Sequence, residues 1–101
     1  VFGGGAGYIT EVYLNGDDMA QMRATSQAAL EDHRIGAAGE WQNPETGHFG
    51  SITPTRTYRA EDGRLCRDFD QTVTIRDDVY EDSGTACRAR DGSWFLASLE
   101  A

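Results

Sequence analysis

The sequence predicts an α+β fold in which one N-terminal helix packs on an antiparallel meander sheet of about four to five strands, closed by one disulfide. Three observations support this fold class. Helical spacing runs from about Asp17 to Arg34, strand-like alternation begins at Glu40, and the two cysteines lie in the two arms of a predicted hairpin. A chain of 101 residues has the size of one small domain.

The charge balance argues against two classes of partner. The chain carries 17 acidic residues against nine basic ones, a net charge of -8, and every basic residue is Arg. A surface this acidic disfavours nucleic acid, whose phosphates require basic side chains, and it disfavours docking on anionic lipid headgroups. No apolar run is long enough to span a bilayer. We therefore expect a soluble domain without a nucleic-acid partner.

The N-terminal thirteen residues are rich in glycine, with four glycines between Gly3 and Gly7. Glycine weakens regular structure, and no Lys-Ser/Thr pair follows to make a phosphate-binding loop. We expect residues 1–13 to be a flexible remnant of a longer glycine-rich zipper or linker segment. Residues 14–101 are expected to form a single soluble domain.

The helix has recognisable ends. Asn15 is a capping residue, acidic residues follow in the first turn, and Gly36 is a natural stop, so we predict a helix from about Asp17 to Arg34. The residues expected on its buried stripe are Met19, Met22, Ser26, Ala29, Leu30 and His33. Most are small, so the helix should lie close to its partner. The methionines are expected to fill the core rather than bind a metal.

The segment from Trp41 to Gly50 has Pro early and Gly late, which predicts a strand, a tight turn and another strand. In the strand from Ser51 to Arg59, alternation predicts that one face carries Ile52, Pro54, Arg56 and Tyr58. Because Pro54 cannot donate to a ladder, we expect an edge or a bulge there. Trp41 and Trp94 are expected in the core.

The central hairpin runs from Leu65 to Ile75 and from Asp78 to Arg88. If Arg76 and Asp77 form its turn, counting outward places Cys66 opposite Cys87 in a non-hydrogen-bonded pair, where Cα atoms approach to about 4.5 Å. A disulfide can span that distance. A turn one residue later would set the cysteines apart.

The same register sorts the side chains of the hairpin by face. The face expected to pack on the helix carries Phe69, Val73, Ile75, Tyr80 and Ala86. The opposite, mostly polar face carries both cysteines. Closing a loop of about twenty residues should stabilise the fold by roughly 3 kcal/mol. A persistent disulfide indicates an oxidising compartment.

Two other uses of the cysteines are less well supported. A zinc site would have to recruit His33 and His48, and neither has finger-like spacing from a cysteine. Nothing near either cysteine marks an activated thiol. We therefore prefer the Cys66–Cys87 disulfide, with no metal, cofactor or catalytic residue.

The charged residues of the hairpin allow further hypotheses. The acidic residues that could suggest calcium binding or paired catalytic carboxylates are Asp68, Asp70, Asp77, Asp78, Glu81 and Asp82. Their spacing fits no EF-hand loop, so a solvated strand face is preferred. The arginines that flank the cysteines are Arg64, Arg67, Arg88 and Arg90. They could grip a carboxylate or phosphate, or pair with Asp68, Asp82 or Asp91.

Five stretches together resemble a known family. They are Trp41-x-Asn43-Pro44-x-Thr46-Gly47-x-x-Gly50, Thr53-Pro54-x-x-Thr57-Tyr58, Gly63-x-x-Cys66-Arg67-x-Phe69, Gln71-Thr72-Val73-Thr74-Ile75 and Gly84-Thr85-Ala86-Cys87-Arg88-x-x-Asp91-Gly92-Ser93-Trp94. Over about Leu14 to Trp94, the chain is similar to the seventeen-kilodalton outer-membrane surface antigen family of Gram-negative bacteria. Its members resemble lipoproteins with a lipidated cysteine, a glycine zipper and a domain like this one.

The resemblance implies a location and a role. The full-length protein would be anchored at the outer membrane, facing the periplasm or the surface, through an N-terminal lipid and zipper missing from this piece. It would act structurally or through contacts with envelope proteins or other envelope components, without catalysis. The alternative is a small envelope binding or inhibitory module that uses the exposed sheet face. Arg76-Asp77 stands where relatives often carry Gly-Gly, which is a departure from the family pattern.

Overall fold

The computed structural model describes residues 14–100, so the predicted glycine-rich remnant at residues 1–13 lies outside the described residues. One helix precedes five strands. The elements are α1 (Gly16–Asp32), β1 (Gly39–Gln42), β2 (Phe49–Arg59), β3 (Leu65–Ile75), β4 (Asp78–Arg88) and β5 (Trp94–Glu100). Within residues 14–100, no helix combines the length and apolarity needed to cross a membrane.

The start of α1 is fixed by a reciprocal pair of hydrogen bonds. The Asn15 side chain accepts from the backbone N–H of Asp18 at 2.8 Å, and the Asp18 carboxylate accepts from the Asn15 backbone N–H at 3.1 Å. This capping box satisfies two backbone donors that a helix start would otherwise leave unpaired. The predicted cap at Asn15 is confirmed.

The end of α1 comes earlier than the sequence predicts. His33 has an extended backbone, with φ -81 and ψ 140, so the helix ends at Asp32 and Gly36 lies in the following turn. The Arg67 guanidinium reaches up from β3 and donates to the backbone carbonyl oxygens of Ala29 and Leu30 at 3.3 and 2.8 Å. An arginine of the sheet therefore caps the helix, in place of the glycine that was expected to do so.

The sheet is an antiparallel meander in which neighbouring strands follow chain order, β1-β2-β3-β4-β5. The β3–β4 hairpin turns at Arg76 and Asp77, Ile75 pairs with Asp78, and Cys66 pairs with Cys87. Arg76 adopts the turn with a φ of 59, the one described non-glycine residue with a positive φ. The predicted fold class and hairpin register are both confirmed.

A bulge divides β2. Pairing with β3 shifts between Pro54 and Arg56, which confirms a bulge at the predicted place. The Pro54 carbonyl accepts from the Gly36 N–H at 2.8 Å, beyond the end of the short strand β1. The extra residue turns Arg56 and Tyr58 to the opposite side. The prediction that they share a face with Ile52 and Pro54 is therefore wrong.

Two apolar clusters lie between α1 and the sheet. The first consists of Ala29, Leu30, Ile52, Phe69, Ala86 and Trp94, and the second of Leu14, Met22, Trp41 and Val73. Both tryptophans are buried, as predicted. The Gln27 side chain also pairs twice with the Trp94 backbone, through its amide nitrogen and its oxygen, each at 2.8 Å. The helix is thus joined to β5, at one end of the sheet order.

Gly50 allows the close approach on which the second cluster depends. A Cβ atom at this position would lie 2.6 Å from the indole nitrogen of Trp41 and in contact with the backbone oxygen of Thr72. Trp41 is the cross-strand partner of Gly50. The indole therefore occupies the space in which any side chain at this position would stand.

Candidate functional site

The disulfide predicted from the hairpin register is present. Cys66 and Cys87 are bonded, with Cα atoms 4.0 Å apart. The two cysteines are 1% and 8% exposed, so solvent reaches little of the bridge. Because both sulfur atoms are used in this bond, neither cysteine is available as a zinc ligand with His33 or His48.

The side of the sheet that faces away from α1 is here called the far face. Strand pairing arranges its side chains in five rows that cross the strands. From the hairpin end, the rows are Gln42–Phe49–Thr74–Val79, Glu40–Ser51–Thr72–Glu81, Thr53–Asp70–Ser83, Arg56–Asp68–Thr85–Ser98 and Tyr58–Cys66–Cys87–Phe95.

The last four rows each carry a link between strands. The Ser51 and Thr72 hydroxyl oxygens lie 2.8 Å apart. In the next two rows, Asp70 accepts from Ser83 at 2.7 Å and Asp68 accepts from Thr85 at 2.6 Å. The disulfide is the link of the final row. These short contacts fix the register of β2, β3 and β4 side by side.

The row that holds the disulfide is closed at both ends by aromatic rings. Tyr58 pairs with Cys66 and Phe95 pairs with Cys87, so a ring flanks each sulfur along the row. The guanidinium of Arg56 lies 4.5 Å from the Tyr58 ring centre, and that of Arg64 lies 5.2 Å from the Phe95 ring centre. Both distances fit a cation–π contact. This flanking explains why a bridge on the far face is nevertheless buried.

The first row differs from the other four because it exposes apolar side chains. Phe49 is 47% exposed and Val79 is 59% exposed, with Thr74 between them in the row. Beside Phe49 lies a shallow cleft of about 660 Å³, which Glu40, Trp41, Gln42, Phe49, Gly50, Ser51 and Thr72 line. An apolar contact area bordered by polar groups is typical of a surface that meets a partner.

The opposite side of the domain contains a buried polar network around Asp18. This carboxylate is 0% exposed. Its Oδ1 atom accepts from the Asn43 amide and the Thr46 hydroxyl, each at 2.8 Å, and its Oδ2 atom lies 2.8 Å from Nδ1 of His48. A carboxylate can only accept, so the proton in the last contact sits on His48. Asp18 of the helix thus contacts three side chains of the segment between β1 and β2.

The environment of Asp18 favours its charged form. Burial by itself raises the pKa of Asp18, but the hydrogen bonds from His48, Thr46, the Asn15 backbone and Asn43 together outweigh burial and hold the pKa below its usual value of 3.8. Asp18 is therefore an ionised group that positions its neighbours. Its hydrogen-bond partners within the described residues all belong to the helix start and to the turn between β1 and β2, and this favours a bracing role.

The structure separates the charged residues that the sequence singled out. Arg67 lies on the helix side, whereas Asp68 and Asp70 lie on the far face, so the three do not form one cleft. The predicted pairing of arginines with Asp68, Asp82 or Asp91 is wrong for Arg64 and Arg67, which contact Asp62 and the helix carbonyls. Arg88 forms its ion pair with Glu31, and it also interacts with Asp91 through its charge.

The acidic residues of the hairpin also divide between the faces. Asp68, Asp70 and Glu81 point to the far face, whereas Asp82 lies opposite Gln71 on the helix side. Burial raises the pKa of Asp82, and a hydrogen bond from Gln71 only partly offsets this rise. Across the described part of the chain, no group of three or more His, Cys, Asp or Glu side chains is arranged to hold a metal ion.

Sequence reasoning missed the Asp18 network. The sequence places Asn43, Thr46 and His48 in a predicted turn region and offers His48 as a zinc ligand. It places Asp18 among the acids of the first helical turn, and nothing in it indicates that these side chains meet. A signal was nevertheless present, because polar side chains recur across a turn that also has Gly47, whose φ is 76. What the sequence lacked was the position of the helix relative to this turn.

The chain is similar in sequence to a family of bacterial surface antigens. A family model described as 17 kDa outer membrane surface antigen matches residues 28–95 of the chain. The 17 kDa surface antigen of Rickettsia conorii is 41% identical over 81 residues, which cover 80% of this chain and 51% of that protein. That of Rickettsia prowazekii is 43% identical over 77 residues, covering 76% and 48%.

A third relative, the 17 kDa surface antigen of Rickettsia bellii, is 37% identical over 81 residues, again 80% of this chain and 51% of the relative. The chain thus spans about half the length of the curated relatives it matches. No solved structure gives a significant match.

Proposed function

The chain belongs to the 17 kDa outer membrane surface antigen family, and from that premise we propose that it is the envelope-facing domain of an outer-membrane lipoprotein. In this role it acts as a scaffold that contacts other envelope components and catalyses no reaction. The far face would face the periplasm or the cell surface and make the contacts. The lipid anchor and most of the glycine zipper would belong to the part of the relatives that this chain does not span.

The observation that carries the proposal is the division of the far face into a braced part and an apolar row. Four rows are fixed by hydroxyl–carboxylate, hydroxyl–hydroxyl or disulfide links, and the remaining row exposes Phe49 and Val79. A rigid surface loses little conformational entropy when a partner binds. The buried disulfide supports an oxidising location, because such bonds persist outside the reducing cytosol.

Cell fractionation of the full-length protein tests this role. We expect the protein in the outer-membrane fraction, with Cys66 and Cys87 unreactive toward a thiol reagent until a reductant is added under denaturing conditions. A cytosolic protein with two reactive thiols would overturn the proposal.

A second candidate function rests on the cleft beside Phe49. Its lining combines the aromatic residues Trp41 and Phe49 with the polar residues Ser51 and Thr72, a mixture that suits a small ligand. The domain would then be a binding or inhibitory module. In a chemical-shift titration with soluble envelope components, saturable shifts at Ser51 and Thr72 would support this function.

A matched pair of variants separates a ligand site from adventitious contacts. Phe49→Ala should abolish the saturable shifts, whereas Ile35→Ala should retain them, because Ile35 is 48% exposed but lies in the connection between α1 and β1. Equal loss in both variants would contradict the binding-module function.

A further inference from the structure

The end of the sheet farthest from the hairpin turn carries a concentration of positive charge that the scaffold role does not require. A cleft of about 590 Å³ there is lined by four arginines, Arg59, Arg64, Arg88 and Arg90, and by two acids, Glu31 and Asp62. We call it the arginine cleft. It contains four of the nine basic residues of a chain whose net charge is -8. We propose that the arginine cleft is a binding site for a phosphate group.

The backbone contributes to the shape of the cleft. Its other lining residues are Gly63, Leu65 and Ala89. Gly63 has a φ of 86, and its carbonyl oxygen accepts from Nη1 of Arg59 at 3.0 Å. Gly92 leaves room beside the site, since a Cβ atom there would lie 3.1 Å from Nη2 of Arg88. Two turns, each with a glycine of positive φ, thus border the guanidinium groups.

Most of the arginines are oriented by contacts that leave donors free. Arg88 uses Nε to bind Glu31 at 2.8 Å, which leaves both Nη groups for a ligand. Arg64 contacts Asp62 through Nε at 3.5 Å and lies against Phe95. A guanidinium has five N–H donors in a rigid fork that matches two phosphate oxygens. The contact of Nε with an acid therefore orients the guanidinium group, and its remaining N–H donors can bind a ligand.

Arg90 is the most available of the four. Among the described residues it has no hydrogen bond or ion pair, and its side chain lines the cleft. The nearby carboxylate of Asp91 is engaged by Ser93, whose backbone N–H and hydroxyl donate at 2.9 and 2.6 Å, and these bonds lower the pKa of Asp91. Asp91 is thus held by hydrogen bonds within its own turn, while its charge also acts on Arg88.

The number of guanidinium groups in the cleft favours phosphate over a single carboxylate. Four arginines line the cleft with two acids, and Asp91, whose charge acts on Arg88, reduces the local excess from two positive charges to one. One bidentate arginine suffices for a carboxylate, whereas a phosphate monoester carries a charge of roughly -1.5 to -2 near pH 7. The like charges of the four guanidinium groups repel one another, and a phosphate bound between them would relieve that repulsion. The acidic remainder of the chain would keep polyanions such as nucleic acid away.

Titration with inorganic pyrophosphate, followed by amide chemical shifts, tests the site. We expect saturable shifts at Gly63, Ala89 and Arg90, and an increase in the urea midpoint when the ligand is present. Arg90→Ala should weaken binding by about fivefold or more, since it removes one charged donor group. The matched control is Arg76→Ala, which removes the same charge at the exposed hairpin turn and should change the affinity by less than about twofold.

Substitution of Glu31 gives a result that a purely structural cluster would not produce. Glu31→Gln removes a competing negative charge but keeps an acceptor for Arg88, so it should tighten pyrophosphate binding by about twofold to fivefold. Unchanged or weaker binding in Glu31→Gln, an absence of saturable shifts, or equal losses in Arg90→Ala and Arg76→Ala would each overturn the site.

Vesicles distinguish the two sources of phosphate. Phosphatidylcholine vesicles with and without phosphatidic acid are compared in a sedimentation assay. Binding that requires phosphatidic acid and is lost in Arg90→Ala assigns the site to a lipid headgroup. Pyrophosphate binding without vesicle binding assigns it to a soluble phosphate compound. An absence of pyrophosphate binding would refute the site whatever the vesicles show, and it would leave the outer-membrane scaffold role unaffected, because fractionation and the far face test that role separately.

Discussion

On the helix side of the sheet, large apolar side chains such as Ile52, Phe69 and Trp94 meet the helix, and one buried carboxylate, Asp18, joins the helix to the turn between β1 and β2. On the far face, the links are short and run from one strand to the next, through hydroxyl groups, carboxylates and a disulfide. The first set of contacts joins different elements, and the second fixes the register within the sheet.

This difference assigns stability mainly to the helix side of the sheet and partner contact to the far face. The helix side fixes the tertiary fold, because its contacts connect residues far apart in the sequence. On the far face, the exposed row of Phe49 and Val79 is available to a partner. Removal of the contacts between the helix and the sheet should therefore destabilise the domain, whereas changes in the exposed row should leave it folded.

The largest effect is expected from Asp18→Ala. This change leaves the donors of Asn43, Thr46 and His48 without their shared acceptor, and we expect a loss of about 3–4 kcal/mol in the free energy of unfolding. Urea unfolding measures it. The control is Asp17→Ala, an exposed acid in the same helical turn, which should cost about 0.5 kcal/mol through the helix dipole.

The pH dependence of Asp18 has a definite sign. Its pKa in the folded state lies below 3.8, so its stabilising contribution is complete above that value and is lost as the pH falls through the folded-state pKa. The stability gap between the native protein and Asp18→Ala should therefore narrow between about pH 5 and pH 3. A gap that stays constant over this range would contradict the ionised state assigned to Asp18.

The disulfide ranks second. Cys66→Ala/Cys87→Ala should lower the free energy of unfolding by roughly 3 kcal/mol, since it reopens a loop of about twenty residues in the unfolded chain. A reductant should destabilise the native protein and leave the double variant unchanged. Because the two regions share no residues, the losses from the cysteine pair and from Asp18→Ala should add in the triple variant.

A small gain is expected from Asp82→Asn. In the described part of the chain, Oδ1 of Asp82 is buried without a hydrogen-bond partner, and burial raises the pKa of this carboxyl. A raised pKa means that stability is lost as the pH rises through the folded-state value. Removing the charge should therefore stabilise the protein by about 1 kcal/mol at neutral pH. Urea midpoints should converge below pH 3.8.

The hairpin and its disulfide could be predicted because their geometry is local. A two-residue turn at Arg76 and Asp77 determines every pair of β3 and β4, including Cys66 and Cys87. Periodicity likewise located α1 and the β-rich half of the chain. Prediction failed where one extra residue entered a strand, because the bulge after Pro54 reversed the faces of Arg56 and Tyr58.

The buried polar contacts depend on how the helix is placed against the sheet, and the alternation of polar and apolar residues in the sequence does not specify that placement. Arg67 stands on the apolar side of β3, and only the position of the helix end explains why a guanidinium is buried there. The same holds for Asp18, which looks like an ordinary first-turn acid until the turn at Asn43 is placed against it. Polar residues that brace two elements were thus the part that could not be predicted.

The claim that the far face is the contact surface can be tested most directly by site-specific photo-cross-linking of the full-length protein in intact cells. A photoreactive amino acid replaces Val79 in one strain and Ile35 in another, because both side chains are large, apolar and exposed. Discrete adducts from position 79 and none from position 35 are predicted. Adducts of the same sizes from both positions, or none from position 79, would contradict a docking role for the far face.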